Sequence, residues 1–281
     1  MRIARPFAAL LVLLAVALAA GAPTASAAAT CNGRTATIVG SGTIAGSSGS
    51  DVIVGSSSRD VVTGNGGNDV VCTLGGNDDV TMGDGDDFVA GGSGNDKLRG
   101  GGGADFVSGD AGDDAVAGQD GNDRLRGFDG VDKITGGEGD DNASAHAGRD
   151  RIYGEEGNDI IYGGPDDDSV SASIGNDFVG GGGGADKLVL GAGNDRADGA
   201  ADPDVQVADG PDRIYGQDGN DTFVGGPGND TLSGNAGNDR LAGEVGDDAL
   251  TGGLGADDRC DGGPGAGDTA DAACEVVVGV P

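Results

Sequence analysis

The 281-residue chain predicts an all-β repeat protein, a solenoid of very short strands joined by glycine-rich turns. Three observations carry this. An Asp recurs every nine residues from Asp51 and Asp60 to Asp204 without a miss, and after one step of eight the period resumes from Asp212 to Asp257. With that Asp at place six of the repeat, place four is Gly except at Ser58, Asp166 and Asp202. Place eight is apolar, running Ile53, Val62, Val71, Val80, Val89, Leu98 and onward, with Ala143, Ala197, Gln206 and Arg259 as the exceptions to a large apolar residue. A glycine-rich hexapeptide followed by three residues with an apolar centre reads as a tight turn and a short strand whose middle side chain points inward.

Taken in order, the first element is a leader. Arg2 and Arg5 precede an apolar run, Ala8 to Ala20, and Ala25-Ser26-Ala27 has the small-x-small pattern of a signal-peptidase site. Residues 1–27 therefore read as a signal peptide, too short in its apolar run to span a bilayer, and the expected location is secreted or extracellular, with no membrane insertion after cleavage. Residues 28–45 read as an amino-terminal cap. Ile44 keeps the phase there, but Gly42 stands where Asp belongs.

Residues 46–260 form the repeat region of about 24 nonapeptides. At 199–207 Asp202-Pro203-Asp204 replaces the glycine turn and Gln206 takes the apolar place, so a kink and a lost site are expected. Residues 261–281 read as a carboxyl-terminal cap. Four cysteines, Cys31, Cys72, Cys260 and Cys274, allow three pairings, and an exported chain favours structural disulfides. Cys260 with Cys274 closes a short loop and is expected first, with Cys31–Cys72 following by elimination.

Composition narrows function before any motif does. Of 48 acidic residues only Glu138, Glu155, Glu156, Glu244 and Glu275 are not Asp, against 16 Lys and Arg and a net charge of −32, which becomes −34 without Arg2 and Arg5. Such a chain repels phosphates, which argues against nucleic acid, and it attracts cations. Asp is a hard oxygen ligand suited to Ca²⁺. Ten of the fourteen basic residues left without Arg2 and Arg5, namely Lys97, Arg99, Arg124, Arg126, Lys133, Arg151, Lys187, Arg196, Arg213 and Arg240, sit at places seven and nine on the strands, away from the turns. Glycine has a period of nine and not three, which excludes collagen. His146, the single histidine, has no Ser or Cys arrangement suggesting catalysis, and reads as a solvated turn residue.

Gly91-Gly92-Ser93-Gly94-Asn95-Asp96-Lys97-Leu98-Arg99 and Gly225-Gly226-Pro227-Gly228-Asn229-Asp230-Thr231-Leu232-Ser233 resemble the RTX, or haemolysin-type, calcium-binding nonapeptide GGxGxDxUx, U being apolar. The resemblance implies a right-handed parallel β-roll (β-solenoid) in which two nonapeptides make one coil, the strands stack into two parallel sheets, and Ca²⁺ ions lie between turns of adjacent coils. It also implies that place six supplies the carboxylate and glycine-region carbonyls most other oxygens. The metal ligands are then Asp69, Asp78, Asp87, Asp96, Asp105, Asp114, Asp123, Asp132, Asp141, Asp150, Asp159, Asp177, Asp186, Asp195, Asp212, Asp221, Asp230, Asp239 and Asp248, with the loops at Asp60 and Asp168 doubtful because of Ser58 and Asp166.

Coils stacked ~4.8 Å apart bring successive Asp into repulsion of roughly 1 kcal/mol per pair even in bulk water, so calcium binding and folding are expected to be one event. The expected function is a secreted, non-enzymatic calcium-binding protein with a structural, cell-surface or matrix role. The alternatives are an adhesin that uses the outer strand faces and, less favoured, the calcium-dependent module of an enzyme or toxin.

Overall fold

A computed structural model describes residues 28–200, 210–274 and 276–278. The expected leader and Asp204 with Gln206 lie outside the described residues. Twenty-seven parallel strands form two sheets, one of 13 and one of 14, in which each strand pairs with those one full coil before and after it. The chain therefore winds as a parallel β-solenoid, alternating between sheets every half coil. Lys97–Gly102 pairs with Ala115–Asp120 in one sheet, and Phe106–Ala111 with Arg124–Asp129 in the other. Among the described residues no helix is long and apolar enough to cross a membrane.

The strands are longer than a three-residue reading of the repeat. Most run for six residues, from place seven to place three, as in Lys97–Gly102 and Arg124–Asp129. Two places per strand face inward, eight and one. Place eight fills the core: Leu98, Val107, Leu125, Ile134, Ile152, Ile161, Leu188 and Ile214 are at most 1 % exposed. Place one is usually Gly, and Met82, Ala145, Ala172 and Leu190 enter the same core where it is not.

Both ends differ from plain caps. Ile38–Val39 and Thr43–Ala45 are the first strands of the two sheets, so the amino-terminal segment begins the solenoid. Ahead of them an antiparallel hairpin, Thr30–Cys31 with Arg34–Thr35, lies against the outside of the 14-stranded sheet. Cys31, Val54, Val70 and Cys72 form a second small apolar cluster there, closed by the Cys31–Cys72 disulfide. At the other end Cys260–Cys274 is also bonded. Thr269–Ala270 and Val276–Val278 continue the two sheets, so part of the expected carboxyl cap belongs to the solenoid.

The irregular stretch is accommodated by lengthening one turn. Lys187 pairs with Arg213, and Arg196 with Thr222, each 26 residues on, where regular coils take 18. Gly199 remains at place one below Asp212. The step of eight is thus an eight-residue insertion inside a turn, and the sheets keep register across it.

Candidate metal centre

Each turn, places four to six, ends in an Asp whose carboxylate, where place one of its own repeat is glycine, folds back beneath that glycine. A Cβ added at Gly100, Gly109 or Gly118 would overlap the carboxylate of Asp105, Asp114 or Asp123. Stacking imposes the second glycine: Gly103 has φ +126°, and a Cβ there would overlap the carbonyl of Gly85, its counterpart one coil earlier. Carbonyl oxygens at places two and four, such as those of Gly83 and Gly85, therefore point along the stack toward the glycines of the next coil.

The Asp side chains form two continuous rows. In each, the backbone N–H of one Asp donates to Oδ1 of the Asp one coil on, at 2.6–2.9 Å. One row holds Asp69, Asp87, Asp105, Asp123, Asp141, Asp159, Asp177, Asp195, Asp221 and Asp239. The other holds Asp78, Asp96, Asp114, Asp132, Asp150, Asp186, Asp212, Asp230 and Asp248. All 19 residues picked from the sequence stand in the rows and are at most 4 % exposed.

Besides Asp51 and Asp60, which open the two rows, three members lie outside that selection. Asp168 is stacked and buried like its neighbours despite Asp166 at place four, whose φ is +84°. Asp258, not Asp257, takes the next place: it accepts from Asp239 N–H, Gly252 lies over its carboxylate, and Cys260 two residues on enters the core in place of Arg259. The turn carries one extra residue. Asp268 follows in the same way above Asp248, within the segment read as a cap. Cys260 was the available signal, since place eight wants an apolar residue.

The second carboxylate oxygen is the telling atom. At Asp51 and Asp60 the N–H and hydroxyl of a serine four residues back satisfy Oδ2: Ser47 at 2.6 and 2.9 Å, Ser56 at 2.7 and 3.1 Å. Further along that bond is lost, even at Asp177, where Ser173 stands four residues back but at φ +86°. Oδ2 of Asp69, Asp87, Asp96, Asp105, Asp114, Asp123 and Asp132, for example, is buried and accepts no hydrogen bond. A buried carboxylate oxygen without donors is costly and asks for a cation.

Electrostatics agree. Desolvation, partly offset by the N–H from the preceding coil and increased by adjacent carboxylates, pushes Asp105, Asp114, Asp141, Asp150, Asp177 and Asp221 up to about 7 and Asp168 up to about 9. Asp51 moves the other way, held below the ordinary carboxylate value by its bonds from Ser47. The ion pairs found among the described residues, Arg99–Asp79 and Arg149–Asp167, leave the rows untouched.

The donor set fits a hard divalent ion. Among the described residues no three His, Cys, Asp or Glu side chains converge. A cation between turns would take carboxylate oxygen from the row and the remainder from the carbonyls at places two and four, an all-oxygen set that suits Ca²⁺. His146, expected in a solvated turn, instead stacks on Phe128 on the outside of the 14-stranded sheet, with ring centroids 4.6 Å apart.

A family model described as the RTX calcium-binding nonapeptide repeat matches residues 45–80, 83–116, 108–143, 135–170, 144–179, 171–206, 205–232, 224–258 and 233–267. A search of curated proteins returned no match.

Proposed function

Because this chain belongs to the RTX calcium-binding nonapeptide repeat family, we propose that it is a secreted, non-enzymatic roll that completes its folding on extracellular calcium and serves a structural, cell-surface or matrix role. The observation that carries this is the contrast at Oδ2: serine donors satisfy it at Asp51 and Asp60, and no protein donor meets it at Asp69, Asp87, Asp96, Asp105, Asp114 and Asp123. Bound calcium supplies the positive charge that the rows lack. The residues do the rest: place-six carboxylates and stacked carbonyls bind, and glycines at places one and four let the oxygens approach.

Extracellular calcium modules work at ~10⁻⁴–10⁻³ M, so such a chain stays unfolded inside the cell and folds outside. Two disulfides suit the same oxidising compartment. The test is a calcium titration of the chain from Ala28 followed by far-ultraviolet circular dichroism, with magnesium as control. A cooperative gain of β-structure near millimolar calcium, absent with magnesium, supports the proposal; a spectrum already β-rich in chelator and indifferent to calcium overturns it.

A further inference from the structure

The two sheets present different outer faces. On the 14-stranded sheet, Phe88 stacks on Phe106 at 5.1 Å, and Arg126 lies over Phe106 and Phe128. The 13-stranded sheet instead lines up basic side chains at place seven: Lys97, Lys133, Arg151, Lys187 and Arg213, all exposed. Strand register puts them on one line, Lys97–Ala115–Lys133–Arg151–Ser169–Lys187–Arg213. At ~4.8 Å per coil the row is about 29 Å long, with steps of about 10 and 5 Å between charges.

The surroundings of this row are selective. Beside its five basic members, place five of the adjoining turn is Asn95, Val131, Arg149, Ala185 or Pro211, none acidic. Where the row carries Ala115 or Ser169 instead, place five is Asp113 or Asp167. Among the acids of the same sheet, Asp79 stands on the same line one coil before Lys97 and is paired with Arg99, Glu155 stands at place two, and Asp84, Asp120, Glu138, Glu156 and Asp218 stand at place three, the opposite margin of the strands. Beside the row, place nine offers Thr135 and Ser171, and Tyr153 lies under Lys133 Nζ at 5.4 Å. Beside Lys187 a shallow depression of about 510 Å³ is lined by Val189, Tyr215, Gln217, Asp218 and Asn235.

We propose that this margin of the 13-stranded sheet binds a linear acidic polysaccharide lying along the roll axis. A straight row of cations at one- and two-coil steps suits a chain with repeating anionic groups, and the hydroxyls, amides and depression beside it suit sugar rings. Net charge opposes polyanions at long range, but screening over ~8 Å leaves the local row in control. The nearest opposing charges are Asp79, paired with Arg99, Asp167, paired with Arg149, Asp113, and the stacked Asp at place six, which calcium neutralises; to that extent the inference rests on the calcium reading. Nucleic acid is disfavoured because aromatic stacking platforms lie mainly on the other sheet.

The test measures binding of a hyaluronate decasaccharide to the chain from Ala28 in millimolar calcium by calorimetry, against a neutral dextran oligosaccharide and single-stranded DNA of equal charge. Lys187→Ser with Arg213→Ser removes two row cations in favour of a residue the row already carries at Ser169. Arg196→Ser with Arg240→Ser makes the same charge change on the other sheet. We expect binding of the decasaccharide over both controls, weakened about tenfold by the first pair, less than twofold by the second, and falling with salt. No binding, equal loss with both pairs, or equal binding of DNA overturns the proposal. Circular dichroism on the same samples separates the two failures. A roll that forms in calcium yet ignores the decasaccharide overturns this proposal alone. A chain whose spectrum ignores calcium overturns the calcium reading, and the titration still decides this one.

Discussion

The turns ending at Asp51 and Asp60 and those from Asp69 onward place the same carboxylate in the same row, yet only the first pair meets its own needs. There, Ser47 and Ser56 donate to Oδ2; further along, the equivalent backbone swings to positive φ, as at Asn65, Asp110 and Gln119, and Oδ2 of Asp69, Asp114 and Asp123 accepts nothing. The first coil is also the one held by the outer hairpin and by Cys31–Cys72. The difference teaches that one repeat can be built two ways. One is self-sufficient and suits an end; the other leaves oxygen exposed to a neighbour that only a cation can satisfy.

Withdrawal of calcium is the strongest way to break the comparison. Hydrogen exchange in chelator should show strands beyond Phe88 losing protection together, while Val52–Val54, tied to the disulfide-bonded hairpin, retains more. Uniform loss or uniform retention would count against two kinds of coil.

Glycine substitutions come next. Gly148 has φ +143°, and a Cβ there runs into the carbonyl of Gly130, so Gly148→Ala should cost about 3 kcal/mol or more in thermal unfolding with calcium. Gly49→Ala, whose Cβ would meet only Ser47 Oγ at 3.9 Å, should cost under about 0.5 kcal/mol. Smaller, but reversing sign, is Asp132→Asn. It removes a charge between Asp114 and Asp150 and should destabilise by roughly 1–3 kcal/mol in calcium while stabilising in chelator. Asp60→Asn should destabilise by about 1 kcal/mol in both conditions, because it loses serine bonds and no ion.

Much of this is legible in the sequence because the period is strict. Asp at place six and an aliphatic side chain two residues on are local consequences of one repeated backbone, so the rows and core could be listed residue by residue. The errors fall where length changes inside a turn. Asp257 and Asp258 are adjacent, and only the demand for an apolar residue, met by Cys260, selects the second. The insertion after Gly199 mimics a shortened repeat because its excess is one residue less than the period. The hairpin could not be placed from spacing alone, although Val52, Val54 and Val70 at outward positions beside Cys72 signalled a covered patch. Serine satisfaction of Asp51 and Asp60 depends on backbone direction, which composition does not encode.

Acid should sharpen the contrast because the two kinds of turn shift in opposite directions. Asp105, Asp114 and Asp141 are raised to about 7, so without calcium their contribution favours the roll below the unfolded value near 4 and is lost as pH rises through about 7. Asp51 is lowered, so its contribution is present above the ordinary value and lost as pH falls. Calcium-free protein should therefore show more β-structure by circular dichroism at pH 5 than at pH 8, while protection near Ser47 stays level over that range and is lost only below about pH 4. A calcium-free roll more ordered at pH 8 would refute the assignment of the shifts to burial.

A single hydroxyl tests the self-sufficient turn directly. Ser56→Ala removes the hydroxyl that reaches Asp60 Oδ2 at 3.1 Å and leaves the Ser56 N–H bond at 2.7 Å in place. Loss of one hydrogen bond to a charged group in a part-buried turn should cost about 1 kcal/mol, equally with and without calcium. If the first coil instead drew its stability from an ion at Asp60, the substitution would change the apparent calcium affinity and would cost little in chelator. The calcium-free measurement separates the two, because a serine donor acts there and an ion does not.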